Sequence, residues 1–385
     1  MSLSGHIGAS APGAEPPQGR RRLRIGILGS RGIPNRYGGF EQLAERLSAA
    51  LAALGEEVIV YSPHHHPWRE REWQGVKIVR CVDPYRLLGP ASQFLYDLLC
   101  ILDSRRRGFD LILQLGYTSS APWYRLHPAH ARVITHTDGV EWTRSKYRGL
   151  VKTYLRWAES SSVRHSHALI ADALAIRDHL RLRYGQEAEY IAYGAEPDAP
   201  KSEGMPERFG LEPGAYFLAV GRFQSDNHQE LMIRAWEEAG RPWPLVLVGN
   251  AGNRFGQGLQ DRHAHPMLMF PGPVYDQGAL RGLRAGCGLY LHGHSGGGTN
   301  PSLLEAMADG ALIAAHDNVF NREVLQGRGF FFKTPEELAG QLTETVNTPY
   351  RGSWPEENRQ HIVERYNWEG VIRTYHALFQ RMLKL

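Results

Sequence analysis

Four clusters in this chain have residue types and spacing suited to chemistry on a phosphorylated, hydroxyl-bearing ligand. The first is Leu291–Gly310, LHGHSGGGTNPSLLEAMADG, where a strand-like run from Gly288 to His292 feeds three consecutive glycines and then a helix. Glycines let a backbone approach a ligand closely, and unpaired N–H groups at a helix start attract phosphate. Gly298, Thr299 and Asn300 stand at that start, and Glu305 lies one turn inside, where a carboxylate accepts hydrogen bonds from ribose hydroxyls. The second cluster is Val220-Gly221-Arg222-Phe223, between a strand and a helix. Arginine is suited to clamping diphosphate oxygens in two places at once. The third is Thr135–Trp142, THTDGVEW, whose His136, Asp138 and Glu141 would orient an acceptor hydroxyl or stabilise a leaving phosphate. The fourth is Gly29–Glu41, GSRGIPNRYGGFE, a glycine-rich strand-to-helix loop containing Gly38 and Gly39. It is not G-x-G-x-x-G and lacks a Walker lysine, which counts against dehydrogenase and ATPase readings.

Other groups read as structural. His64-His65-His66 and the Asp261–His265 run fall where exposed loops are expected, and no D-x-D sequence is present to hold a divalent cation against a diphosphate. No metal site is expected. Cys81, Cys100 and Cys287 are odd in number and widely spaced, as buried free thiols in a reducing compartment would be. The Leu95–Leu102 segment, followed by Arg105-Arg106-Arg107, reads as a core-facing helix with a solvated basic end.

The elements that must hold these clusters alternate between strand and helix. Strands are expected at 24–28, 58–61, 76–82, 111–115, 132–136, 168–171 and 189–192, with helices at 41–54, 93–104 and 154–165 between them. A polar, Pro- and Gly-rich stretch at 197–206 reads as a linker. A second alternating series follows: YFLAVG, a helix at 230–239, LVLVG, LMFPG, a helix near 279–285, GLYLHG, the Glu305 helix and ALIAA. The pattern predicts an α/β chain with two open parallel sheets, whose ligands bind beyond the carboxyl ends of the strands in the cleft between the halves. The last segment, 368–385, reads as a helix with Trp368, Val371, Tyr375, Leu378 and Met382 on one face. The length of 385 residues suits two domains. A net charge of +4 with 22% charged residues gives no sign of nucleic-acid binding. No apolar run approaches the roughly 20 residues of a membrane-spanning helix.

These motifs together resemble the family-four retaining glycosyltransferases of GT-B fold. The match is closest to a bacterial rhamnosyltransferase-type subgroup of capsule and O-antigen assembly. The runs that carry it are SRGIPNRYGGFE, DGVEWTRSKY, YIAYGAE, GRFQSDN and HGHSGGGTNPSLLEAM, spread from Ser30 to Met307. The resemblance implies two Rossmann-like domains facing across a cleft. With a disordered tail expected over 1–21, these are an acceptor-side domain over 22–199 and a nucleotide-sugar domain over 200–365, followed by a helix over 366–385 crossing back to the first domain. It places Gly38 and Gly39 by the donor diphosphate and acceptor, Arg222 on the diphosphate, Glu305 on the ribose, and His136 and Asp138 near the transferred sugar. Two positions depart from the wider family: Asn227, still expected to touch the donor, stands where a lysine is usual, and Gly297 where a glutamate is usual.

The implied function is transfer of a sugar from a nucleoside diphosphate, with retention, to a hydroxyl of a glycan or lipid-linked oligosaccharide in bacterial surface polysaccharide synthesis. The departures point to a deoxysugar donor such as dTDP-L-rhamnose. No cofactor, metal or protein nucleophile is expected. The protein is expected in the cytoplasm, with peripheral contact to the inner face of the membrane. The alternatives are a catalytically silent sugar-nucleotide-binding subunit and a nucleotide-sugar epimerase of the same fold.

Overall fold

The computed structural model describes residues 21–137, 139–144, 147–348 and 350–384. The expected tail, apart from Arg21, and the candidate Asp138 lie outside the described residues. The chain divides into two compact units, one running to Leu113 and including Leu126–Arg132, the other comprising Gln114–Arg125 and Val133–Leu385.

In the first unit, β1 (Arg24–Leu28) pairs in parallel with β2 (Glu57–Pro63), and β2 with β4 (Val76–Cys81). The short β3 (Glu72–Trp73) runs antiparallel to β4, and β5 (Leu111–Leu115) lies on the other side of β1. Every residue of β5 is buried, as expected for a strand covered on both faces. The Gly39–Ala53 helix buries Leu43, Ala44, Leu47 and Leu51 at helical spacing, and Gly55, at φ +91°, turns the chain back.

The second unit holds β6 (Arg132–Thr137), β7 (Ala168–Ala171) and β8 (Glu189–Tyr190), parallel and in that order. It also holds a six-stranded, all-parallel sheet. This consists of β9 (Phe217–Val220), β10 (Leu245–Val248), β11 (Leu268–Met269), β12 (Leu289–His292), β13 (Ile313–His316) and β14 (Phe330–Phe332), ordered β11-β10-β9-β12-β13-β14. Its core packs Phe217, Leu245, Leu247, Leu289 and Leu291 under Trp236 and Leu342 from the flanking helices.

The expected linker is more ordered than its composition suggests. Met205 and Pro206 are buried in a short Met205–Arg208 helix, and the Ser202 amide donates to the Gly278 carbonyl at 2.9 Å. The helix expected at 154–165 begins a turn and a half earlier and spans Gly149–His165. In the final helix, Trp368–Leu383, Trp368, Val371, Tyr375 and Leu378 are buried as expected, but Phe379 completes the stripe and Met382 is only half-buried. This helix packs on the segment after β8. Ala195 bridges to Asn367, and a Cβ at Gly194 would lie 2.7 Å from the Trp368 ring.

Candidate functional site

The chain order of the six-stranded sheet reverses between β9 and β12, so the loops leaving these neighbours flank a crevice at the strands' carboxyl ends. That is where open α/β sheets bind ligands. The loop after β9 carries Arg222, which is exposed, and the loop is pinned from behind by side-chain amides. Asn227 Nδ2 and Gln229 Nε2 both donate to the Arg222 carbonyl, at 2.8 and 2.7 Å, and Asn253 Nδ2 donates to the Phe223 carbonyl at 2.7 Å. Asn227, expected to touch the donor, is buried and shapes the loop backbone that presents Arg222.

Of the three glycines after β12, Gly298 is required by packing and Gly297 by its backbone conformation, while Gly296 has room for a side chain. Gly296 faces Arg144, whose Cγ would lie 3.5 Å from an added Cβ. Gly297, at φ +103°, lies against Gly139, where an added Cβ would come within 2.6 Å of the Gly297 Cα. A Cβ on Gly298 would overlap the Asp172 carboxylate. Thr299 is buried and its hydroxyl donates to the Asp172 carbonyl, and Asn300 caps the Pro301–Ala308 helix by accepting from the Ser302 amide at 3.0 Å. The loop is therefore tied to the ends of β6 and β7 within the second unit.

At the end of β6, His136 is buried, its Nδ1 is 3.2 Å from the Thr137 carbonyl, and its ring lies 5.7 Å from that of Tyr193. Glu141 is buried and accepts from Arg144 Nη1 at 2.8 Å, while Arg144 Nε donates to Asp226 at 2.9 Å. Ser295 reaches the same corner, its amide and hydroxyl both donating to the Asp226 carbonyl at 3.0 Å. The adjacent Trp142 is held by Glu159, which accepts from the indole at 3.1 Å and from the Tyr184 hydroxyl at 2.6 Å. Glu141 thus sits in an ion-paired network rather than as an isolated base. Arg144 and Asp226 lie inside the motifs DGVEWTRSKY and GRFQSDN, and their pairing across 82 positions leaves no local spacing signal.

Glu305 lies on the other flank of β12. The buried Arg284 donates to it, and also to Asp309 Oδ2 at 3.1 Å, while Arg281 donates to Asp309 Oδ1 at 3.1 Å. Burial pushes the Asp309 carboxyl up, against the pull of the Arg284 and Arg281 guanidiniums. Sequence reasoning missed this network. Its only signal is the i,i+3 arginine pair in QGALRGLRAG, set among core leucines.

Histidines were missed as well. His292 and His294 stack at 4.6 Å, and His228 and His316 at 4.4 Å. Neither ring nitrogen of the buried His292 meets a hydrogen-bond partner among the described residues. Desolvation, with the positive charge of His316, holds its pKa down to about 3, and desolvation with His228 holds His316 to about 4.

Gly38 and Gly39 belong to the first unit, where Gly38 precedes the first turn of the Gly39–Ala53 helix in extended conformation. The buried Glu41 in that turn accepts from the Arg31 amide at 2.7 Å, and the Arg31 guanidinium lies 4.3 Å over the Tyr37 ring. In the same unit His66 is buried, not exposed as expected, with Nε2 3.2 Å from the Pro34 carbonyl.

Among the described residues, no helix is long and apolar enough to cross a membrane, and no group of three His, Cys, Asp or Glu side chains is placed to hold a metal ion.

Residues 23–196 match the family described as "Domain of unknown function (DUF1972)". Over 180 residues, 43% of this chain, the sequence is 28% identical to an uncharacterised glycosyltransferase of Methanocaldococcus jannaschii. That alignment spans 44% of the relative's length. Among solved structures, sucrose-phosphate synthase from Thermosynechococcus elongatus superposes with TM-score 0.78 at 16% identity, covering 94% of this chain and 100% of that one. Anabaena HepE in complex with UDP and glucose gives 0.73 at 15% identity, over 94% and 100%. Trehalose 6-phosphate synthase from Burkholderia multivorans gives 0.70 at 12% identity, over 94% and 97%. The two-sheet, parallel α/β architecture is that of GT-B glycosyltransferase structures, as the alternating pattern and the resemblance led one to expect.

Proposed function

We propose that this chain is a retaining glycosyltransferase that moves a sugar from a nucleoside diphosphate to an acceptor hydroxyl. The observation that carries this reading is an exposed arginine and an oriented carboxylate, Arg222 and Glu305, on the elements that follow the adjacent strands β9 and β12. Arg222 would meet the diphosphate and Glu305 the ribose, a division of labour that suits their charges. The relative named as a glycosyltransferase and the complex of Anabaena HepE with UDP and glucose support the same reaction class. In the transfer, the acceptor oxygen bonds to the anomeric carbon as the bond to the diphosphate oxygen breaks, and the hydroxyl proton passes to the departing phosphate. The protein's part is positioning and stabilisation of the leaving charge.

We assign the chain to the family-four, rhamnosyltransferase-type subgroup, with dTDP-L-rhamnose as donor, no metal, and a glycan or lipid-linked acceptor of bacterial surface polysaccharide synthesis. We place it in the cytoplasm with peripheral contact to the membrane, with the acceptor side in 22–199 and the donor side in 200–365. Gly297, at φ +103° where a glutamate would be strained, supports a donor that needs no glutamate there. His136 and Asp138 are proposed near the transferred sugar, and Glu141 and Arg144 as the frame behind them. The test is incubation of the purified protein with a panel of nucleoside diphosphate sugars and acceptors, followed by product analysis. Conversion of donor with no acceptor present would indicate an epimerase, and stoichiometric binding without turnover a silent subunit.

A further inference from the structure

We infer that Arg284 is a positioning residue that fixes the Glu305 carboxylate for the nucleoside ribose. The inference rests on the proposed reading of Glu305. Arg284 comes from the Gln277–Gly286 helix that precedes β12, whereas Glu305 and Asp309 lie on and just beyond the helix that follows it. Its side chain is 1% exposed, and its two terminal nitrogens are divided between the two carboxylates. Asp309 is held from its other oxygen by Arg281, so two guanidiniums and two carboxylates form one connected chain. Glu305 is the most exposed of the four, with 17% of its side chain exposed against 3% for Asp309 and 11% for Arg281. A buried ion pair is weak evidence for stability, since apolar residues of similar volume often serve as well. What the fork of a guanidinium adds is direction: it fixes the rotamer of a carboxylate that would otherwise swing on three torsions. Fixing that rotamer before the ligand arrives removes an ordering cost from binding.

The experiment compares UDP and dTDP with their analogues lacking ribose hydroxyls, 2′,3′-dideoxy-UDP and 3′-deoxy-dTDP, by calorimetry on the full chain. A charge-assisted hydrogen bond to Glu305 gives a preference for the hydroxylated form of about tenfold or more. Arg284→Gln is expected to bring that ratio close to one and to raise the donor KM with little change in kcat. Arg284→Lys, which keeps the charge but not the fork, should recover part of the ratio. A ratio unchanged in Arg284→Gln, whatever the loss in melting temperature, would overturn the inference. Glu305→Gln separates the two claims, because a preference that survives it sinks the ribose reading itself. If Arg284→Gln does not fold, Asp309→Asn removes Arg284's second anchor and leaves Glu305 in place. A parental ratio in that variant counts against Arg284, and a reduced one supports it.

Discussion

At the scale of single residues, the site is built from groups held by partners both near and far in sequence. Arg222 is exposed while its own carbonyl is held by two amides, so its loop is set before any ligand arrives. Arg222→Ala should therefore weaken nucleoside-diphosphate binding about tenfold or more in calorimetry while leaving the melting temperature near the parent's, since a charge-assisted hydrogen bond contributes about 1.5–3 kcal/mol. The glycines behave oppositely. Gly298→Ala places a Cβ onto the Asp172 carboxylate, and Gly139→Ala places one onto the Gly297 backbone. Each should destabilise the fold by about 1–3 kcal/mol, read in denaturant titration, as overpacking does. Gly310→Ala, with open space around its Cβ but φ at +76°, isolates the backbone contribution for comparison. The placement of Glu305 and Arg222 beside β12 and β9 was legible because a carboxylate one turn into a helix and an arginine at a strand end have local signatures. Arg144, Asp226, Asp172 and Arg284 were not, because each acquires its meaning only from a partner on another element.

At the scale of elements, strand and helix positions were readable wherever burial imposed a period. β1, β5 and β7 occupy the expected spans because runs such as RIGIL, LILQL and ALIA have no other stable environment than a covered parallel sheet. The two-residue β3 left no periodic signal, and Met205–Arg208 was concealed by the Pro and Gly around it. The histidine pairs at the ends of β12 and β13 add a property that no single position reveals. His292 and His316 are kept neutral, with pKa near 3 and 4, against about 6.5 in an unfolded chain. The unfolded chain takes up protons that the folded one refuses, so stability falls as pH drops from about 6.5 towards 4. Urea midpoints measured across that window should decline, and His292→Leu should flatten the decline. A pH-independent midpoint would show that the pairs are not so constrained. The final helix makes a separate prediction. Trp368 is buried against Gly194, and Trp368→Ala should cost about 3–5 kcal/mol, visible as a large loss of melting temperature.

At the scale of the whole molecule, the fold confines the possible chemistry but does not select it. The same two-sheet architecture serves synthases of sucrose phosphate and trehalose phosphate, as the superpositions show. What narrows the proposed reading is the chemistry at the β9–β12 switch point: an exposed arginine suited to a diphosphate, and a carboxylate held by a buried arginine and suited to a ribose. A nucleoside diphosphate sugar that binds there raises the melting temperature by mass action, corresponding to about 2.7 kcal/mol at a hundredfold excess over Kd. The donor panel can therefore be ranked before any acceptor is known. The most direct measurement then takes the best stabilising donor, a panel of hydroxyl acceptors including lipid-linked glycans, and determines the anomeric configuration of the product by NMR. The account predicts an acceptor-dependent glycoside with the anomeric configuration of the donor, lost in Arg222→Ala. A product of inverted configuration, or donor consumption that needs no acceptor, would contradict it.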